Sequence, residues 1–333
     1  MISNEEIKVD KIRHCLVSFK YTNENVINNG GIMGEKYSYR IYGLNVLSDI
    51  KCQEVCELTE RPSHYDITIE LGAVSDEIKQ LIGTGRRSSY TNENMWFHIK
   101  GVATYWIFNG NKVIIELADG ADALMAKQYL LGSCLGMIML QRDRIAIHGG
   151  TIVFNNQGII FTGDRGAGKS TITSALRGKG YPFVADDVSA VEVGGPHYVH
   201  PGFPQQKLCE DAAIALGYEL EAYNTLLVDG KVKYLIPTKN VFVDEKVPLK
   251  AIVELCVDST INGIEISQLT GKDRLQVICN NIYRIEMKRI AGVNPEFFKK
   301  CLTLAKEIPV YRIRRQKDVM TVEQQIQWLE ATF

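Results

Sequence analysis

The 333-residue sequence has no excess of positive charge. Its 38 Lys and Arg stand against 39 Asp and Glu, a formal net charge of −1. A nucleic-acid-binding chain normally carries a basic excess, so no nucleic-acid partner is expected. No apolar run approaches the roughly 20 residues that span a bilayer, so no membrane partner is expected either. The first residues, MISNEEIKVDKIRH, lack the apolar core of a signal peptide. The eight cysteines form no C-x-x-C pair, and Cys52 and Cys56 have no histidine nearby. Neither a zinc site nor a disulfide framework is suggested, and reduced thiols in a cytoplasmic protein are the expectation. Internal repeats and low-complexity segments are missing too. What remains is an ordinary globular composition, 45% hydrophobic and 23% charged, long enough for two domains or one large one.

Along the chain, a polar stretch ends in a loose turn at Asn28-Asn29-Gly30-Gly31. Short strands then follow: YSYRIYGLNVL, DITIEL, MWFHIK, ATYWIF and KVIIEL. Asn109-Gly110 predicts a hairpin, because both residues tolerate positive φ. These segments read as a small antiparallel sheet. Ala121 to Leu140 reads as one long, largely buried helix, with Gly132 and Gly136 permitting close packing on one side. The expected division is 1–141, an N-terminal antiparallel-sheet domain of α+β type with its long helix, and 142–333, an α/β nucleotide-binding domain. In the second part, two strands joined by Asn155-Asn156-Gln157-Gly158 lead into GDRGAGKST. A helix over 170–177, a strand over 181–185, and loop or edge strand over 189–208 come next. A helix over 211–223, a strand over 250–257 and helices over 275–289 and 295–308 follow. A strand over 309–315 and a helix over 321–331 close the chain.

Gly163-Asp164-Arg165-Gly166-Ala167-Gly168-Lys169-Ser170 is G-x-x-x-x-G-K-S, the phosphate-loop pattern. Ile159-Ile160-Phe161 reads as the buried strand before it, and Ile172, Ala175 and Leu176 as one face of the helix after it. Strand, glycine turn and helix N-terminus present backbone N–H groups to a polyphosphate, and the helix dipole adds positive potential. ATP is the expected ligand of residues 163–171, Thr171 included, with Lys169 reaching the β/γ-phosphates and the Ser170 hydroxyl holding Mg²⁺.

Asp186-Asp187 ends the next strand. If that strand lies beside the loop's own strand, one carboxylate can hold Mg²⁺ and the other can take a proton from an attacking hydroxyl. The plain alternative is a solvated strand end. His148 precedes Gly149-Gly150, and a lone histidine is more often structural than catalytic. His197-x-x-His200 has no carboxylate or cysteine beside it in sequence. Residues 272–318 carry twelve Lys or Arg against five Asp or Glu. Such a tract forms a solvated helix face or neutralises phosphate or an acidic peptide.

Taken together, His148-Gly149, GDRGAGKST and VADD resemble the core of HPr kinase/phosphorylase, a phosphoenolpyruvate-carboxykinase-like fold with a Walker A loop. That family's R-G-x-G signature is replaced here by VSAVEVGGPHYVHPG. A closer likeness is to the HPr-kinase-related proteins of peptide natural-product clusters, including the lasso-peptide kinases. It runs through YRIYGLNVLSDI, QYLLGSCLGMIMLQRDRIAIHGG, HPGFPQQKLCEDAAIALG and PVYRIRR. The resemblance implies an ATP-dependent serine kinase acting on a ribosomally made precursor peptide. Asp186 would be the base, Asp187 and Ser170 the Mg²⁺ ligands, and Lys169 the charge neutraliser. His148 would donate to the transferred phosphate, assisted by Arg165. Other enzymes of the cluster are expected partners, and a homo-oligomer is compatible with the sequence. Two alternatives stay open: a small-molecule hydroxyl kinase, and a nucleotide-dependent peptide-binding module without chemistry.

Overall fold

A computed structural model describes residues 35–228 and 230–333; the turn expected at Asn28–Gly31 lies outside them. Two larger sheets and one small one are built from a mixed α/β chain.

The first sheet holds β1 (Tyr37–Ile41), β2 (Leu44–Ser48), β3 (Ile67–Leu71), β4 (Ser88–Tyr90), β5 (Asn94–Ile99), β6 (Ala103–Phe108) and β7 (Lys112–Leu117). Its order is β1-β2-β3-β7-β6-β5-β4. The expected antiparallel sheet is in fact mixed, because β3 pairs parallel with both β2 and β7. YSYRIYGLNVL, read as one run, folds into the β1–β2 hairpin around Tyr42-Gly43. The Asn109-Gly110 hairpin stands as expected, with φ of 54° and 63°. An unforeseen helix, α1 (Asp76–Gly83), starts where the Ser75 side chain accepts from the Ile78 N–H. Too short to show a clear period, it buries Ile78 beside Val74 and Trp96.

The long helix is α2 (Ala123–Tyr129), a π-helical turn over Leu130–Cys134, and α3 (Leu135–Gln141). It is long and apolar enough to cross a membrane, yet 78% of its most apolar window is buried inside the protein. Gly136 and Gly132 face Tyr283. A Cβ at Gly136 would lie 2.7 Å from the ring's Cδ1, whereas one at Gly132 would be 3.6 Å from its hydroxyl. The glycine pair therefore packs an aromatic ring from another part of the chain.

The second sheet begins with β8 (Ile145–Phe154) and β9 (Gln157–Gly163), joined by a two-residue turn at Asn155-Asn156. After α4 (Lys169–Gly178) come β10 (Phe183–Ala185), β11 (Val188–Glu192) and β12 (Tyr198–His200). Residues 189–208, expected as loop or edge, thus hold internal strands, and β13 (Gln205–Cys209) follows at once. β13 joins β14 (Thr225–Val228) and β15 (Lys231–Pro237) in a three-stranded sheet. The helix expected over 211–223 is only α5 (Glu210–Ala215) and a separate 3₁₀ turn at Leu220–Ala222. β16 (Val247–Asp258), β17 (Ile264–Gln268) and β18 (Val310–Gln316) complete the second sheet. The single helix expected over 275–289 is broken into α6 (Gly271–Asn280) and α7 (Ile285–Ala291). α8 (Pro295–Glu307) and α9 (Val322–Thr332) fall where expected.

One apolar core runs from Tyr39 through the α2–α3 helix to Val310, so packing is continuous across residue 141. A second core packs Ile172 and Leu176 of α4 against Phe161, Val253 and Ile326. Burying those two side chains contributes about 1.5–3 kcal/mol each, which anchors the start of α4 at the end of β9.

Candidate functional site

β9 stops at Gly163 because the chain must turn sharply beside β16. Gly163 has φ of 128°, and a Cβ there would strike the carbonyl of Leu255. Its N–H donates to Asn281 Oδ1 at 3.2 Å, and the Asn281 carbonyl accepts from the His148 N–H at 2.7 Å. Asp164, Arg165 and Gly166 are exposed on the turn, while Ala167 is buried and donates its N–H to the Asp164 carbonyl. Gly168 starts α4, and no side chain caps the helix. The first N–H groups of α4 are therefore left for something else to satisfy.

Lys169 folds back over the turn, donating to the carbonyls of Gly163 (2.7 Å) and Asp164 (3.0 Å). Burial pulls its pKa down; the nearby charges of Asp187, Asp164 and Asp186 oppose that and Lys233 adds to it. Ser170 and Thr171 are half-buried in the first turn of α4. Arg315 of β18 grips the turn from behind, donating to Ala167 O at 2.8 Å and Gly166 O at 3.0 Å. Sequence reasoning saw Arg315 only as one member of the basic tract. Other members of that tract are held by carboxylates elsewhere, Arg312 by Glu254, Arg314 by Asp258 and Glu265, and Lys288 by Asp143.

The strand carrying Asp186-Asp187 does not lie beside β9. β9 pairs with β8 and β16, and β10 pairs with β8. Both neighbours run antiparallel to β8, so β9 and β10 are parallel to each other and end at the same edge. Two strand spacings put their backbones about 10 Å apart. β8 first pairs with β11 at Val188↔His148, then with β10 at Ala185↔Thr151. The two aspartates fill the gap, opposite Gly149-Gly150. A Cβ at Gly150 would lie 3.0 Å from the Asp186 carbonyl, and the Gly149 N–H donates to the Asp187 carbonyl. The glycines thus let the backbone of the two aspartates lie close against β8, the strand between them and β9.

Lys207 of β13 organises the pair. Its backbone N–H donates to Asp186 Oδ2 at 2.9 Å, and its ammonium donates to Asp187 Oδ2 at 3.1 Å. Sequence reasoning missed this residue. Its one signal was the alternation in Gln205-Gln206-Lys207-Leu208-Cys209, which now reads as a strand. Burial, then the charge of Asp187, raises the Asp186 pKa to about 7. Burial also opposes the charge of Asp187, but the cations of Lys207 and Lys233 outweigh it and hold that carboxyl well below the usual range. Burial alone would lower the Lys207 pKa; the two aspartates reverse that and raise it.

His148 Nδ1 lies 3.1 Å from the Asp187 carbonyl. A carbonyl only accepts, so Nδ1 carries the proton and a neutral ring leaves Nε2 as an acceptor. Burial lowers the His148 pKa and favours that neutral ring. A neutral acceptor differs from the phosphate donor that the resemblance implied. The ring also sits 5.7 Å from that of Tyr283. His197 and His200 share no ligand; they pair separately with Glu307 and Glu192.

Among the described residues, no group of three or more His, Cys, Asp or Glu could hold a metal ion. Ser170 and the ionised Asp187 remain as two oxygen donors near the turn. Such a sparse set suits Mg²⁺, which keeps several waters and takes further ligands from phosphate oxygens.

No protein-family model matches the chain, and no curated protein matches it. Among solved structures, the Hpr(Ser) kinase/phosphatase from Coxiella burnetii is similar over 55% of this chain and 92% of that one, at 13% identity and a TM-score of 0.29. That likeness is distant and partial, concerns the HPr-kinase/phosphatase fold and no narrower group, and leaves the function to be argued from the site itself.

Proposed function

We propose that the chain is an ATP-dependent phosphotransferase whose acceptor is a hydroxyl, that of a serine in a ribosomally made precursor peptide. One observation carries the reading: an uncapped helix N-terminus behind a glycine turn, and a carboxylate with its pKa raised to about 7, end at the same sheet edge one strand apart. The first is suited to anionic phosphates and the second to accepting a proton near neutral pH.

In this reading the N–H groups of residue 166 and residues 168–171 receive the phosphates, and Lys169 exchanges its two carbonyl partners for phosphate oxygens. Arg315 keeps the turn in shape by holding two of its carbonyls. Ser170 and Asp187 would hold Mg²⁺, which supplies charge neutralisation on the transferring group. Asp186 accepts the proton as the acceptor O–H bond breaks. The new P–O bond forms while the bond to the departing diphosphate opens. Lys207 keeps Asp187 ionised and leaves Asp186 as the carboxylate that titrates. The setting is the cytoplasm, where ATP is at hand. Incubation with γ-labelled ATP and a serine-containing precursor peptide is the test. Transfer to peptide by the parent protein and none by Lys169→Ala supports the reading; binding of ATP without transfer to any hydroxyl overturns it.

A further inference from the structure

Beside the aspartates lies a pocket lined by Tyr42, Leu131, Gly132, Phe203, Gln205, Tyr283 and Lys207. Tyr42 is the lining residue that comes from the first sheet. Tyr42 occupies the β1–β2 turn with φ of 54°, followed by Gly43 at 72°. Two-residue turns of this kind favour Asn, Asp or Gly, and a bulky residue at positive φ costs about 1–3 kcal/mol. The turn is pinned all the same. The Tyr42 N–H donates to the Pro201 carbonyl at 2.8 Å, and its own carbonyl accepts from Arg144 at 3.0 Å. The ring, 4% exposed, lies against Gly202, where a Cβ would come within 3.2 Å of it.

Two further polar groups belong to this lining, the Tyr42 hydroxyl and the Gln205 amide. Burial raises the pKa of the Tyr42 hydroxyl, and the charges of Tyr283, Asp187 and Asp186 add to that effect, so it stays a neutral donor beside the carboxylates. Gln205 Oε1 is buried and meets no donor. A buried acceptor left unpaired costs about 1–3 kcal/mol, so a pocket that keeps Gln205 Oε1 unpaired opposite a tyrosine held on a strained turn is suited to a ligand that donates an N–H. The cation in the lining, Lys207, is already committed to Asp187. A second anion would meet carboxylate charge there, so the ligand is uncharged where it enters.

We propose that this pocket receives the phosphoryl acceptor, and that Tyr42 and Gln205 are positioning residues that orient it. The Tyr42 hydroxyl donates to an acceptor oxygen and Gln205 takes an N–H, which together describe an uncharged peptide segment beside its hydroxyl. This rests on the phosphotransferase reading and adds that the first sheet completes the active site.

The test uses the full chain, γ-labelled ATP and a serine-peptide library with randomised uncharged flanks. Tyr42→Phe removes only the hydroxyl, and Gln205→Met removes the amide at similar volume. Each should raise the library concentration at half-saturation about 3–10-fold, with maximal rate and ATP affinity within about twofold of the parent. Variants that saturate like the parent overturn the assignment. Variants that lose ATP affinity in step show an effect through the fold and overturn it too. If the parent itself transfers nothing, the phosphotransferase reading falls and the pocket assignment falls with it.

Discussion

Lys207 donates its ammonium to Asp187 Oδ2 at 3.1 Å and its backbone N–H to Asp186 Oδ2 at 2.9 Å, so its charge falls most directly on Asp187. One lysine therefore neutralises one carboxylate of an adjacent pair and leaves the other to titrate. Lys207→Met should undo that division. Without the cation, the charge on Asp187 costs more and the protons of the pair leave at higher pH. The acid limb of the transfer rate, expected near pH 7 from Asp186, should move up by about one unit or more. An unmoved limb would show that Lys207 does not set the titration.

Asp186→Asn should make the protein more stable at high pH. The folded pKa of Asp186 lies above the ordinary 3.8. The folded state thus binds the extra proton between those values, and stability falls as pH rises through that window. Above pH 7 the buried charge is present and unfavourable, and Asn removes it while still accepting from the Lys207 N–H. The expected gain is about 1 kcal/mol, or roughly 2–4 °C in Tm at pH 8, shrinking toward pH 4. A Tm difference independent of pH would contradict the assigned titration.

Arg315→Ala should loosen the turn without removing any group that touches ATP. Hydrogen bonds from a charged donor contribute about 1.5–3 kcal/mol each, and two are lost. ATP affinity by calorimetry should fall at least tenfold, less than for Lys169→Ala. Equal affinity for Arg315→Ala and the parent would leave the arginine without the role given to it.

The two helix glycines should respond differently. Gly136→Ala drives a methyl into the Tyr283 ring, and overpacking of that kind costs about 1–3 kcal/mol. Because Tyr283 stands beside His148, transfer should fall as well as Tm. Gly132→Ala meets Tyr283 at an ordinary contact distance and should be mild in both assays. Equal effects would mean that Tyr283 does not transmit the strain.

The turn and its helix were legible because their glycine spacing is a local backbone requirement, met by residues adjacent in sequence. The same holds for the hairpins at Asn109-Gly110 and Asn155-Asn156. What sequence did not show was which strands become neighbours. β3 joins β2 and β7 in parallel through long-range pairing, and Asp186 reaches the turn across β8 rather than beside β9. Lys207 was hidden because Gly and Pro before it made the stretch look like loop. Tyr42 carried no motif; its position follows from a hairpin tip meeting Pro201 and Gly202, more than 150 residues away.

The most direct measurement is phosphoryl transfer by Asp186→Asn, followed with labelled ATP and peptide across a range of Mg²⁺ concentrations beside Asp187→Asn. Asp186→Asn should bind ATP like the parent yet transfer about 10²–10⁴-fold more slowly at every Mg²⁺ concentration, the usual contribution of a positioned base. Asp187→Asn should recover part of its rate as Mg²⁺ rises. Rescue of Asp186→Asn by Mg²⁺ would exchange the two roles, and transfer at the parent's rate would remove Asp186 from the chemistry.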